Sequence, residues 1–369
     1  MKRRTALTAA VAAPALAVLG SGTAASAQTA FARGADISSL AKSEALGGTY
    51  MWADGYREDP IWILQKSGVN WIRLKVWVNP ADGYNNKTHV VNVARRARAA
   101  GLNVLVDFHY SDTWADPGKQ TKPAAWSGYG FSQLRTAVYD HTADVLGALA
   151  AAGATPQMVQ VGNETNGGML WPDGRYDRLD QLGQLMTSGA DAVRAKAPGA
   201  KVMLHLAEGG NNSVFRWFFD AMRSRGVPFD AIGASYYPYW HGSLSGLQSN
   251  LNDIASRYGK PVYVVETAYP FTSGDGDGFA NIVSSSTPVS GYPATTTGQS
   301  NMLKAVANVV KAVPNGRGAG VFWWEATWTA VRGNGWDPAD PSSGNGWENQ
   351  ALFDYSWKVT PALKTLGTL

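Results

Sequence analysis

Short apolar runs alternate with longer stretches in which apolar residues recur every three or four positions, and the alternation continues along most of the chain. Eight runs read as strands: 34–38, 71–77, 104–109, 158–162, 202–206, 232–236, 262–266 and 320–324. Nearly continuous apolar character, rather than strict in-out alternation, is the mark of parallel strands covered on both faces. Between them, residues 90–100, 134–151, 179–195, 215–224 and 302–313 carry helical spacing, and Leu244, Leu247, Leu251, Ile254 and Tyr258 mark one face of a further helix. Eight strand–helix units predict the α/β class and a single (β/α)8 TIM barrel, with its functional groups at the C-terminal ends of the strands. No glycine-rich nucleotide fingerprint follows any strand, which argues against a doubly wound open sheet. Two connections are unusually long, 271–298 after the seventh strand and 327–348 after the eighth, and would overhang that functional face.

Composition narrows this picture. The chain has 369 residues, 45% of them hydrophobic, enough for one large core. At the N-terminus Lys2, Arg3 and Arg4 precede an apolar stretch over 6–19 and then Ala25-Ser26-Ala27. This is the pattern of a signal peptide over 1–27, cleaved near Ala27, leaving a catalytic unit over 28–369 and an extracellular product. The apolar stretch is too short to anchor the chain in a membrane. Removing it leaves 29 basic against 28 acidic residues, so neither nucleic acid nor an anionic membrane is expected as partner, and a neutral polymer is compatible. The absence of cysteine excludes thiol nucleophiles, zinc–thiolate sites and redox pairs.

Two glutamates interrupt this apolar pattern at strand ends. Glu164 closes Met158-Val-Gln-Val-Gly-Asn-Glu, and Glu266 closes Val262-Tyr-Val-Val-Glu. A carboxylate ending a buried strand makes sense where the strand emerges into a site, and two of them are what hydrolysis of a sugar acetal requires. One protonates the leaving oxygen while the other faces the anomeric carbon, and Asn163 is placed to bond the neighbouring sugar hydroxyl. Arg73, on the inward face of its strand, is suited to hold Glu266 ionised. Tyr236, at the end of the sixth strand, is expected to hydrogen-bond that carboxylate. His109 and His205 are more often satisfied core histidines than catalysts, and Asp107 reads as a hydrogen-bond partner inside the barrel. Asp36, Asp112, Asp116, Glu208 and Glu325 also lie near strand ends, and spacing does not choose among them. Glu325 fits either a substrate contact or a buried ion pair.

Fifteen tryptophans are many for this length. Trp77, Trp114, Trp126, Trp171, Trp240, Trp324, Trp328, Trp336 and Trp347 follow strand ends, where indole faces can stack on pyranose rings along a groove. In the first long loop, Asp275, Asp277, Phe279 and Asn281 alternate with small residues. Their side-chain oxygens and the Phe279 carbonyl could wrap a hard cation such as Ca2+, although the closing glutamate of an EF-hand is missing and the local pattern alone reads better as an ordinary turn.

With these residues collected, the chain resembles the endo-β-1,4-galactanases of glycoside hydrolase family 53. The resemblance is carried by Gly34-Ala-Asp-Ile-Ser, Trp71-Ile-Arg-Leu-Lys-Val-Trp77, Val161-Gly-Asn-Glu164, Ser235-Tyr-Tyr-Pro-Tyr-Trp240-His-Gly, Val264-Val-Glu266-Thr-Ala-Tyr-Pro and Glu348-Asn-Gln-Ala-Leu-Phe-Asp354. More specific still is Asp107-Phe-His109-Tyr-Ser-Asp112-Thr-Trp114-Ala-Asp-Pro117. It implies a retaining hydrolase of β-1,4-galactan with Glu164 as acid/base and Glu266 as nucleophile. Arg73, Asn163, His109, Asp112, Trp114, Tyr236, Trp240, Trp324 and Trp328 are then expected around the substrate. It also favours structural Ca2+ at Asp275, Asp277, Phe279 and Asn281, no organic cofactor, and a monomer acting on pectic galactan. The competing expectations are a mannanase or xylanase on the same barrel, a transglycosylase, or a polysaccharide-binding protein without catalysis.

Overall fold

The computed structural model describes Met1 and residues 30–369, so the expected signal segment lies, apart from Met1, outside the described residues. The strands are β1 (Ala32–Asp36), β2 (Trp71–Val76), β3 (Asn103–Phe108), β4 (Met158–Val161), β5 (Lys201–Leu206), β6 (Ala231–Ser235), β7 (Val262–Thr267) and β8 (Gly318–Trp323). They pair in parallel, in chain order, and β8 returns to β1 to close a barrel. The eight apolar runs thus became eight strands, each boundary within two residues of the expectation. Helices such as Lys87–Ala99, Phe131–Ala151, Leu179–Lys196, Asn212–Ser224, Leu244–Tyr258 and Thr296–Lys311 form the outer ring. Several begin on a side chain that accepts an otherwise unpaired backbone N–H: Asn86 from His89, Ser243 from Gly246 and Thr295 from Gly298.

The core has two parts because successive strand residues face opposite ways. Outward-facing Ile72, Leu74, Val104, Val106, Val159, Leu204, Ile232 and Val264 pack against helix residues such as Val93, Leu146, Leu185, Phe218 and Leu251. Inward-facing Ala32, Leu105, Met158, Met203, Ala231, Tyr263, Val265 and Phe322 fill the lower barrel as a separate cluster. Two residues further along the same strands the lining becomes polar: Arg73 on β2, Asp107 on β3, Gln160 on β4 and His205 on β5 are all buried. Each barrel layer can hold only so many large side chains. Gly34 leaves the room that Phe322 occupies, since a Cβ there would lie 2.0 Å from the Phe322 ring.

One strand breaks the alternation. Val265 belongs to the inward cluster, so a regular β7 would send Glu266 outward into the helix layer. The register slips here on both sides: Ala234 pairs with Val264 but Ser235 with Glu266, and Val321 pairs with Val264 but Trp323 with Thr267. This bulge turns Glu266 back over the barrel mouth, a common way of re-aiming a side chain beside a site.

Gly34→Ala should destabilise the barrel by about 1–3 kcal/mol through overpacking. In a chemical-denaturation cycle, much of that loss should disappear when Phe322→Leu is added; independent, additive losses would contradict the shared-volume account.

Candidate active site

Arg73 organises the barrel mouth. Its Nη1 donates to Asp36 Oδ2 at 2.6 Å and its Nε to Gln160 Oε1 at 2.8 Å. Its Nη2 lies 2.9 Å from Asp107 Oδ2, 3.0 Å from Asn163 Oδ1 and 2.7 Å from Glu266 Oε1. These acceptors come from β1, β3, β4, the turn after β4, and β7. Burial works against the guanidinium charge, but the carboxylates of Asp107, Glu266 and Asp36 together hold its proton more tightly than usual. Asp107 responds in the opposite sense: burial would raise it, and Arg73 and His109 bring it below the ordinary carboxylate range.

Glu266 receives a second bond from the Tyr237 hydroxyl, 2.9 Å from Oε2. Glu164 follows β4 in the left-handed region, with φ 44° and ψ 53°. For a residue with a Cβ this backbone is strained, and it carries the carboxyl over the mouth rather than along the strand. An oxygen of Glu164 and one of Glu266 approach within 4.8 Å of each other. Burial raises the pKa of both carboxyls. Arg73 partly offsets this for Glu266, which is pushed up to about 7. Glu164 is held well above the usual range by burial and then by the Glu266 charge. The first proton lost by the pair therefore belongs to Glu266, the carboxyl in contact with a cation, and the retained proton sits on Glu164.

Asn163 is locked in one orientation, its Oδ1 accepting from Arg73 and its Nδ2 donating to the Ala115 carbonyl at 2.8 Å. Gln120 braces the same turn from below, donating to the Asn163 carbonyl at 2.9 Å. His109 Nδ1 accepts from Trp77 Nε1 and from the Ala115 N–H, both at 3.2 Å. Its proton therefore resides on Nε2, which donates to Asp107 Oδ2 at 3.0 Å. The glutamates open into a cleft of about 370 Å³ lined also by Trp114, Asp116, Glu208, Tyr237, Trp240, Trp324, Trp336 and Trp347. Trp240 is 54% exposed, whereas Trp324 and Trp347 are buried edge to face at 4.7 Å. Trp336 lies over Trp114 at 4.5 Å and 8° between planes.

Three expected substrate contacts require correction. Tyr236 does not reach the nucleophile candidate: β6 ends at Ser235, the chain turns, and the Tyr236 hydroxyl donates to the Gly242 carbonyl at 2.8 Å, leaving Tyr237 to face Glu266. Asp112 is not part of the cleft wall; its oxygens accept the backbone N–H groups of Asn79 (2.9 Å) and Ala124 (2.8 Å), tying two loops together. Trp328 is buried behind the cleft, its indole N–H bonded to the Asn334 carbonyl at 2.8 Å and its ring near Trp114 and Trp336. Glu325 resolves as an ion-pair member, 2.6 Å from Lys75 Nζ. Nothing in the sequence pattern singles out Lys75; its ammonium also lies 4.0 Å from the Trp114 ring centroid, so it backs that indole from within the barrel.

The Asp/Gly segment of the first long loop forms a second oxygen-rich cluster. Carboxylate oxygens of Asp275, Asp277 and Glu348 lie within 4.8 Å of one another. Asn281 Oδ1 and Glu348 Oε2 are buried without a partner, although both residues are more than nine-tenths buried. Such orphaned oxygens are costly unless something donates to or coordinates them. Phe279 points its ring outward against Gly344, so its backbone carbonyl is the only oxygen it offers. Glu348, seventy-odd residues downstream, supplies the carboxylate that the local pattern lacked.

A closed parallel barrel with paired carboxyls at its C-terminal mouth and an aromatic cleft above them defines a glycoside hydrolase. Residues 32–366 match the model of glycosyl hydrolase family 53, and the chain belongs to that family. It is 35% identical to a Bacillus subtilis (strain 168) protein described as endo-beta-1,4-galactanase, over 90% of this chain and 85% of the relative. Among solved structures, the GH53 catalytic domain from Ignisphaera aggregans superposes with a TM-score of 0.87 at 39% identity, covering 91% of this chain and 95% of that one. A structure from a study of two fungal beta-1,4-galactanases gives 0.80 at 34% identity, covering 92% and 99% respectively.

The two neighbouring tyrosines offer a direct test. Tyr237→Phe removes a hydrogen bond to a buried carboxylate, a loss that should lower kcat roughly 10- to 100-fold. Tyr236→Phe should leave kcat within about twofold, because its hydroxyl bonds only a loop carbonyl. Equal effects in steady-state assays would mean that the Tyr237–Glu266 bond is immaterial.

Proposed function

We propose that the protein is a secreted endo-β-1,4-galactanase that hydrolyses (arabino)galactan with retention of configuration. The observation that carries the mechanism is the approach of the Glu164 and Glu266 oxygens to within 4.8 Å. Retaining glycosidases hold their carboxyls about 5–5.5 Å apart, whereas inverting ones need roughly 6.5–9.5 Å to admit water between carboxylate and sugar. Galactan as substrate is supported by family membership and by the galactanase descriptions of the relatives. Export is supported by the basic, apolar and small-residue pattern of 1–27. Among the described residues no helix is long and apolar enough to cross a membrane.

In this reading the Glu164 proton passes to the glycosidic oxygen while Glu266 attacks the anomeric carbon. The departing oligosaccharide leaves a galactosyl ester on Glu266. Glu164, now ionised, takes a proton from water, and the resulting hydroxyl displaces Glu266. Arg73 and Tyr237 stabilise the carboxylate as it leaves and returns, and the second N–H of Asn163 Nδ2 faces the sugar hydroxyl beside the reacting carbon. Trp240 and the neighbouring indoles give the polymer apolar stacking faces.

Ca2+ binding between the two long loops is part of the same proposal. Asp275, Asp277, Asn281 and Glu348 would supply side-chain oxygens and Phe279 its carbonyl, an all-oxygen set suited to a hard cation. Such an ion supplies charge neutralisation and loop cross-linking; bond cleavage is left to the glutamates.

Debranched galactan should yield short oligosaccharides rapidly, while mannan and xylan release few reducing ends. Activity on mannan or xylan alone would overturn the substrate. The wild-type kcat/KM profile should be bell-shaped, because a fall in pH through about 7 protonates Glu266, and a rise through the higher Glu164 pKa removes the leaving-group proton. Glu164→Ala should lower kcat/KM at least 100-fold for galactan and abolish the alkaline limb; a retained alkaline limb would exclude Glu164 as the acid. Chelation should lower the melting temperature by roughly 10 °C, reversibly on adding Ca2+. An unchanged melting curve would remove the ion from the account.

A further inference from the structure

Glu208 lines the cleft just past the end of β5 and takes no part in the reaction as described. Its backbone is left-handed, at φ 61°, although it carries a Cβ. Glycine would adopt that conformation freely, and the next two positions, Gly209 and Gly210, are glycines. The neighbours hold the turn in place. Asn166, close behind Glu164 in the same turn, accepts the Ala207 N–H at 2.7 Å and donates to the Ala207 carbonyl at 3.2 Å. On the other side the Gly209 N–H donates to the Ser235 carbonyl at 2.9 Å. Glu208 is therefore braced between the turn that carries the acid/base and the end of β6. Strain maintained in a cleft wall, at a position where glycine would remove it, points to a use for the side chain. Asn211 Nδ2 donates to one carboxylate oxygen, Oε2, at 2.9 Å. That is the only bond to the Glu208 side chain among the described residues, which leaves Oε1 without a protein partner. The loop after β6 reaches the same place. A Cβ on Gly210 would lie 2.2 Å from the His241 carbonyl oxygen, and His241 and the exposed Trp240 line the same cleft.

We propose that Glu208 binds the departing half of the substrate: its free carboxylate oxygen accepts a hydroxyl of the galactosyl unit on the leaving side of the scissile bond, and Trp240 and His241 complete that subsite. The inference rests on galactan as substrate and on Glu164 as acid/base. The glycosidic oxygen is the atom that Glu164 protonates, so the leaving sugar begins at Glu164. Asn163, whose side chain is tied to Arg73 and to the Ala115 carbonyl after β3, takes a hydroxyl of the sugar that stays. The departing chain accordingly runs to the other side of Glu164, where β5 and β6 end. A carboxylate offers only acceptors, while a sugar presents hydroxyl donors and apolar C–H faces; Glu208 matches the first and the Trp240 indole the second. The contact serves both halves of the reaction. In the first it holds the leaving chain in line with Glu164. In the second, a sugar bound there can take the place of water. Its C4 hydroxyl gives its proton to Glu164 and attacks the anomeric carbon, the ester bond to Glu266 breaks, and a longer oligosaccharide is released.

Glu208→Gly is the test, because it removes the carboxylate and relieves the turn; the variant should melt at or above the wild-type temperature. A dinitrophenyl β-galactobioside, whose leaving group carries no sugar hydroxyl, serves as the reference substrate. The ratio of kcat/KM on galactan to kcat/KM on this aryl substrate should fall about tenfold, as for a lost hydrogen bond to a charged group. With galactobiose added as acceptor, the ratio of transfer product to hydrolysis product should fall by about the same factor, since an acceptor has to occupy the same subsite. Glu208→Gln keeps the length and one acceptor oxygen and should recover part of both ratios. Equal falls on the two substrates, or an unchanged transfer ratio, in a variant that melts like the wild type would make Glu208 a turn residue and overturn the inference. Should the glycine variant melt lower, Glu208→Gln decides: a galactan-to-aryl ratio severalfold below wild type supports the contact, and a wild-type ratio overturns it. Failure of the wild type to cleave galactan, or an alkaline limb that survives Glu164→Ala, would overturn the underlying reading and this inference with it.

Discussion

The barrel mouth depends on one buried cation. Arg73 is 1% exposed, and its guanidinium reaches acceptors on β1, β3, β4, the turn after β4, and β7. Taking this charge from water is expensive, and the expense is offset only because nearly every N–H has a partner and three of the acceptors are carboxylates. Those carboxylates are in turn tolerable inside the barrel only because of Arg73. A lysine could not substitute, since a point charge with three donors cannot span five acceptors in a fixed plane. Geometry follows from this arrangement: Asn163 is oriented by the same Nη2 that holds Glu266, so the turn after β4 and the bulge of β7 are placed relative to each other by one side chain.

Above that centre the two long loops are ordered by polar side chains rather than by a core of their own. Asn349 Nδ2 donates to the Thr272 and Val283 carbonyls at 2.9 and 2.8 Å. Asn345 joins the Trp328 carbonyl at 2.9 Å through its side chain, and its backbone N–H reaches Asp277 Oδ2 at 2.7 Å. Glu348 accepts the Gly276 N–H from the other loop. Trp347, immediately before Glu348, lines the cleft, and Trp336 is carried by the same segment. The cleft wall is therefore only as well placed as the clasp between these loops. Gly- and Ser-rich chain buries too little apolar surface to order itself, so the clasp has to supply what packing cannot.

The legibility of all this in the sequence was uneven for physical reasons. Strands buried on both faces announce themselves as apolar runs, so β1 to β8 were visible, and with them the two glutamates, one just past β4 and one near the end of β7. What alternation could not show was the slip in β7: by period two, Val265 and Glu266 cannot both point inward, yet they do. The same limit explains Tyr236 and Tyr237. Both are aromatic, adjacent and at a strand end, and only the turn after Ser235 determines which ring faces Glu266. Asp112 looked like a site residue because it sits within the most family-specific segment, but a segment can be characteristic because it clasps loops. Glu348 was missed for the opposite reason: its partners Asp275 and Asp277 are remote in sequence, and no local spacing foretells that contact.

The charges at the mouth also explain why one carboxyl should keep its proton and release it on cue. Arg73 and Lys75 face Asp36, Asp107, Glu266 and Glu325, so the buried groups already carry an excess of negative charge before Glu164 is counted. Ionising Glu164 adds to that excess in a place where water cannot screen it, which keeps the proton in place while Glu266 is anionic. In the proposed reaction the attack on the sugar converts Glu266 into a neutral ester. The largest of the charges that oppose a Glu164 anion vanishes at the moment Glu164 has to give up its proton, and burial and the weaker Asp116 charge remain against it. When the ester is hydrolysed the Glu266 charge returns, and with it the preference for a protonated Glu164. Under that proposal the alternation of acid and base roles needs no movement of the backbone, because the charge created and cancelled on one glutamate resets the proton affinity of the other.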